Sequence, residues 1–142
     1  MPERDFHIDC SMTYGDMRRY AEALDVAITS ELLPAGVKGI YDENLGMIII
    51  DRSLDYTQKR CTLVHELFHW SYFDNSCDPV LHAKAEKRTR RLTAELLVPA
   101  KRFDCVDPEY EGDASLIAND MNVTMQVLRD YKEFVLDRRQ YA

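Results

Sequence analysis

No stretch of this chain approaches the ~18 uninterrupted apolar residues that a membrane-spanning helix needs. The opening MPERDFHIDC interleaves charged and apolar residues and offers no apolar leader core, so neither a secretory signal nor a membrane anchor is expected. The default location is then the cytoplasm. Glycine and proline are scarce, at five each in 142 residues, and no linker, repeat or low-complexity tract interrupts the chain, so residues 1–142 are expected to form one domain. Cys10, Cys61, Cys77 and Cys105 contain no C-x-x-C pair. Without a leader a disulfide framework is not expected, and the cysteines read as free thiols packed like small apolar residues. Basic surplus is also missing. A formal charge of −7 argues against nonspecific binding to nucleic acid or to anionic membranes.

What is present suits a globular core: 46% of the residues are hydrophobic and 30% are charged. Thr13–Leu24 reads as a helix, with Thr13 as N-cap and Asp16 facing the first-turn amides. Short extended segments follow near Val26–Leu32 and Val37–Tyr41. A turn over Asp42–Gly46 leads into Met47–Asp51, whose continuous Met-Ile-Ile-Ile predicts a strand buried on both faces. The helical pattern then holds from Tyr56 to Tyr72 or Phe73. After a loop at residues 74–79 it returns from Val80 to Val98, where Pro99 stops it. Asp104–Gly112 reads as irregular and acidic. Helices at Ala114–Met121 and from Thr124 to about Asp137 complete an α+β order, with a C-terminal helix pair at about 113–138.

Chemistry enters at Leu63-Val64-His65-Glu66-Leu67-Phe68-His69-Trp70, which contains H-E-x-x-H. Residues four apart on a helix share a face, so His65 and His69 can bind one metal ion while Glu66 reaches a water beside it. The pattern alone should occur by chance in about one chain in a few hundred of this length. Its surroundings add weight. The helix is apolar nearly all round, and burying two imidazoles and a carboxylate together is costly without a partner such as zinc. Zinc with three protein ligands keeps a fourth position for water.

The third ligand has several candidates: His82, Glu86 and Glu95 on the next helix, and Asp74, Cys77 and Asp78 in the loop. At about 100° per residue, Glu86 falls on the mostly apolar face of its helix, between Thr93 and Leu97. Glu95 falls among Lys84, Arg88 and Arg91 on the wet side. An acid on the core side favours Glu86 as the ligand, against a partly buried salt bridge to an arginine. His82, one turn earlier on the same face, is the runner-up.

The segment RCTLVHELFHW, followed by EKRTRRLTAELLVPA, resembles the ImmA/IrrE family of metallopeptidases. That family's pattern is H-E-x-x-H, a gap, then E-x-x-A-x-x-F-A-x-x-L-L-x-P. The likeness spans roughly Met12 to Tyr131 and departs at Thr89, Arg90, Leu92 and Thr93. It implies a short gluzincin: a zincin-like domain with a small, mostly antiparallel sheet packed against the H-E-x-x-H helix. His65, His69 and Glu86 would hold Zn2+ and Glu66 would be the catalytic base. It also implies a phage or mobile-element setting and a protein substrate of the helix-turn-helix repressor type. For substrate binding, an unpaired edge near Met47–Asp51 is expected to take an extended peptide. Tyr41, Tyr72 and His82 are candidates for stabilising the oxyanion.

Two other classes compete. Leu116–Arg129 resembles a helix-turn-helix, with Ala118, Met121, Val123, Thr124 and Leu128 at its packing positions and Asn122 at the turn. However, 113–142 holds five acids against four bases, which argues against phosphate binding and for a helix pair packed on the core. A zinc-binding protein that interacts without catalysing would also carry these ligands, although the intact Glu66 argues for catalysis.

Overall fold

A computed structural model describes residues 4–75 and 77–140. Residues 1–3 of the N-terminal arm, Ser76 of the expected loop, and residues 141–142 lie outside the described part. Helix α1, Tyr14–Ala23, opens on a reciprocal cap: Thr13 Oγ1 accepts from the Asp16 amide at 3.1 Å, and the Asp16 carboxylate accepts from the Thr13 amide. Helix α2, Tyr56–Ser71, repeats the device with Asp55 and Gln58. Such caps satisfy amides that have no partner inside the helix, which fixes where each helix begins.

Between these helices lie three strands, β1 (Ala27–Glu31), β2 (Gly39–Asp42) and β3 (Met47–Asp51), in the order β1-β3-β2. β3 runs antiparallel to β2, with Gly39 opposite Ile50, and parallel to β1, with Ala27 opposite Met47. The sheet is therefore mixed, one ladder of each kind, where a mostly antiparallel one was expected. The cause lies in the connections. A tight turn, in which Asp42 Oδ1 accepts from the Leu45 amide and Gly46 adopts φ +60°, folds β3 straight back on β2. The longer passage from β1 to β2 leaves a gap that β3 fills. β3 is thus the central strand, and the expectation of an unpaired edge at Met47–Asp51 is corrected: β2 is the edge beside the active helix. β3 is also not buried on both faces. Ile48 and Ile50 are fully buried while Met47, Ile49 and Asp51 are half-buried, so only one face meets the core.

Helix α3, Pro79–Leu97, is capped by Asp78, whose Oδ1 accepts from the Val80 and Leu81 amides. Pro99 ends α3 as read, yet it also caps α4, Ala100–Glu109, so the expected irregular segment at Asp104–Gly112 is helical through Glu109. Phe103 and Val106 bury one face of α4, and Asp104 and Glu109 sit on the wet side, where their charge masked the period. Helix α5, Ala114–Met121, and helix α6, Met125–Tyr131, meet at Asn122 in the left-handed region, φ 54°. A π-helical turn, Lys132–Leu136, and α7, Asp137–Gln140, continue from α6.

α6 packs on α3, burying Val127, Leu128, Asp130 and Tyr131. Its exposed Arg129 is the one base in Met125–Tyr131 and donates to Gln126. The pair therefore has helix-turn-helix turn geometry but lies against the core as a packing element. All four cysteines are free; only Cys61 is buried, whereas Cys77 and Cys105 are exposed, so packing as apolar residues applies to Cys61 alone. No helix among the described residues is long and apolar enough to cross a membrane.

One buried charge ties these parts together. Arg60 on α2 is 2% exposed and donates to the carbonyls of Cys10, Met12 and Asn122, joining the N-terminal arm to the α5–α6 turn. Hydrogen bonds from a charged donor to buried acceptors are stronger than average, and removing the donor leaves those acceptors unmet. Arg60→Leu is expected to destabilise the fold by about 3 kcal/mol, read as a lowered urea midpoint with an unchanged slope.

Candidate metal centre

Helix α2 delivers His65 and His69 one turn apart, their rings edge-to-face with centroids 4.9 Å apart. Across from them, α3 delivers Glu86. Its Oε1 lies 2.8 Å from His65 Nε2 and its Oε2 lies 3.1 Å from His69 Nε2. Both ring nitrogens thus converge on one carboxylate, and the three ligand atoms fall within 4.8 Å of one another. The alternative of an arginine salt bridge for Glu86 is not what the structure shows; its partners are the two imidazoles.

The other candidates lie elsewhere. Glu95 is exposed and pairs with Arg91 at 3.1 Å, as a solvated charge should. Asp78 caps α3, and His82 lines the cleft but is exposed. Asp74 approaches the far side of the ring: its Oδ2 accepts from His69 Nδ1 at 2.9 Å. Arg88 holds Asp74 in an ion pair and stacks over Tyr72 at 3.9 Å. An imidazole that donates Nδ1–H to a carboxylate presents a bare Nε2, the tautomer a metal requires. Asp74 therefore orients a ligand, a role the sequence reading missed. An acid five residues beyond the second histidine was the available signal, but only a folded loop shows which nitrogen it meets.

Glu66 is 8% exposed, and burial pushes its carboxyl above the usual range, with the neighbouring imidazoles opposing that shift. His69 is raised above the ordinary histidine value, because hydrogen bonds and charge from Glu86, Glu66 and Asp74 outweigh its burial. Glu86 is driven far down by its hydrogen bonds to His65 and His69. Its two oxygens thus tie both rings and the acid into one cluster. Two imidazole nitrogens and one carboxylate oxygen are also a fitting donor set for a borderline-soft divalent ion.

The centre opens into a cleft of about 960 Å³ between β2, α2, α3 and α6. Gly39 on β2 lies directly over Glu66. A Cβ built there would stand 2.6 Å from Thr62 Cγ2 and 3.2 Å from Glu66 Cγ, so the strand approaches the helix this closely only because residue 39 has no side chain. Of the oxyanion candidates, Tyr41 and His82 line the cleft, and Tyr41 Oη accepts from Arg4 at 3.3 Å. Tyr72 lies under Arg88, away from the cleft lining.

Comparison with known proteins shows the family and the fold. Residues 21–130 match the family model described as Peptidase_M78, the IrrE N-terminal-like domain. The match takes in all three strands, the metal-centre helices and most of the C-terminal helix pair. No curated protein matches the chain. Among solved structures, a Mycobacterium tuberculosis transcriptional regulator superposes with a TM-score of 0.66 at 12% identity, over 84% of this chain and 40% of that one. At that identity the likeness speaks for the fold, and the chain spans two fifths of the length of that regulator.

Two outcomes test the geometry. Asp74→Asn is expected to lower metal affinity about 10–100-fold, measured by competition with a chromophoric chelator. Gly39→Val is expected to displace the Glu66 side chain, seen in a crystal structure of the variant, with metal content unchanged.

Proposed function

Because the chain belongs to the M78 peptidase family defined by the IrrE N-terminal-like domain, we propose that it is a zinc-dependent endopeptidase acting on a protein substrate. His65, His69 and Glu86 hold the metal, and residues 1–142 work as one zincin-like unit. The observation that carries this reading is the meeting of both Nε2 atoms on the Glu86 carboxylate, with Glu66 buried beside them at the floor of an open cleft.

When bound, zinc supplies Lewis acidity, lowering the pKa of water to about 7 and polarising the scissile carbonyl. The chain's own residues do the rest. Glu66 takes a proton from the attacking water and passes it to the leaving amine. Burial raises its carboxyl above the usual carboxylate range, the direction that favours taking up a proton. Asp74, anchored by Arg88, keeps His69 in the ligating tautomer. The substrate backbone lies extended along the free edge of β2, where Gly39, Ile40 and Tyr41 face the cleft.

The substrate we favour is a transcriptional repressor of the helix-turn-helix type. A chain with this fold occurs within a protein described as a transcriptional regulator, which supports a setting in gene control. Free thiols, two of them exposed, fit the reducing cytoplasm.

The test separates ligand from base. Glu66→Gln is expected to retain wild-type zinc and lose cleavage of a proteome-derived peptide library by about 10²–10⁴-fold. His65→Ala and Glu86→Ala are expected to lose the metal itself, counted by mass spectrometry after desalting. Full zinc in Glu86→Ala would reassign the third ligand. A zinc-loaded wild type that cleaves nothing would favour a silent metal-binding protein.

A further inference from the structure

Acids outnumber bases 25 to 18 in this chain, so a surface where bases prevail needs a reason. One exists on α3. Lys84, Lys87, Arg88 and Arg91 stand at positions i, i+3, i+4 and i+7, which puts them in a single stripe along the helix. Together with Arg138 of α7 they line a groove of about 570 Å³, in which Glu133 is the one acid. Arg88 and Arg91 are committed to Asp74 and Glu95. Lys84, Lys87 and Arg138 are exposed and form no ion pair with another described residue.

The π-helical turn adds an aromatic surface. It presents Phe134 to the groove, with Lys87 Nζ 5.9 Å and Arg90 Cζ 5.5 Å from the ring centroid. The contact with Phe134 holds Lys87 in place without neutralising it, whereas Arg90 is paired with Asp130. Lys84 and Arg88 also line the cleft of the metal centre, so the groove continues that cleft around α3.

We propose that this groove docks an acidic segment of the protein substrate, lying beyond the residues that reach the metal. The term substrate rests on the peptidase reading above; the docking itself does not. Charge complementarity selects an acidic ligand, and dimensions select a peptide. The stripe is about 10 Å long, room for about three extended residues but for less than one turn of duplex. A longer polyanion such as DNA would extend past the stripe over a chain whose net charge is −7. A substrate so held is delivered in one direction, and recognition is divided between groove and cleft.

The test is binding of fluorescein-labelled hexaglutamate to the full-length, zinc-loaded Glu66→Gln protein, followed by anisotropy at low salt. Saturable binding that weakens as salt rises is expected, with about a tenfold loss in affinity in the Lys87→Glu/Arg138→Glu variant. The milder Lys87→Gln/Arg138→Gln variant is expected to fall between, and an unchanged circular dichroism melt in both shows that folding is intact. Absence of binding, or binding indifferent to both variants, would overturn the proposal. So would displacement of the probe by a short DNA duplex at lower concentration than unlabelled hexaglutamate. Because this readout uses an inactive base, it fails independently of catalysis: lost docking beside intact peptide cleavage by wild type sinks the groove alone, and the reverse sinks the peptidase alone.

Discussion

Two imidazoles one turn apart on one mostly buried helix share a negative partner from elsewhere in the chain. Glu86 is that partner, and meeting it constrains the position of α3 relative to α2. Leu63, Val64 and Leu67 bury α2 around its polar face, so the polar groups there are held in a largely dry wall. A polar cluster in such a wall is stable only when each member is satisfied, and each link recruits another residue. Glu86 satisfies the Nε2 atoms, Asp74 the His69 Nδ1, and Arg88 in turn Asp74. The cluster is thus a chain of opposite charges running from α2 through the loop and back to α3. It fixes the relative positions of His65, His69 and Glu86.

The other wall of the cleft depends on an absence. β2 passes over Glu66 at a distance only glycine permits, and β2 is the edge of a three-stranded sheet whose centre is β3. Together these facts place a hydrogen-bonding sheet edge against the buried Glu66 carboxylate. Had β3 been the edge, as its position in the chain suggests, the pairing surface would lie one strand farther from the metal centre. The inversion follows from the tight turn at Asp42–Gly46, which seats β3 between its predecessors.

The parts of this arrangement that could be read in the sequence are those with a short period. His65 and His69 share a face by spacing alone. Glu86 stood out as an acid on the core side of a periodic helix, and Glu95 as its exposed counterpart. Thr13 and Asp55 show the same kind of signal, a capping residue matched three positions later. What escaped depends on contacts between distant segments. Arg60 looks like an ordinary helical charge until its three carbonyl partners come from residues 10, 12 and 122. Sheet order is set by long-range pairing, and two strands can flank a third in either arrangement without altering a residue. Helix α4 was hidden for a different reason: acids on its outer face diluted an apolar period of only two buried residues.

The departures from the family pattern on α3 fall into place once α6 is included. Thr89 is fully buried with its hydroxyl 3.4 Å from His69 Nδ1, and Thr93 is buried one turn further along. Arg90 is held by the buried Asp130 of α6 through two bonds of 3.2 and 2.5 Å, and Gln126 donates to the same carboxylate. An arginine on α3 is therefore accommodated by an acid on α6, a bidentate pair that needs both partners together. This pair explains why a helix hairpin with the turn of a DNA reader carries its polar contacts inward. It leaves the opposite stripe of α3 as the helix's main outward charge. One helix thus faces the two imidazoles with Glu86, the C-terminal pair with Arg90, and solvent with Lys84 and Lys87. The acid meets the imidazoles, whereas the two basic faces meet Asp130 and solvent.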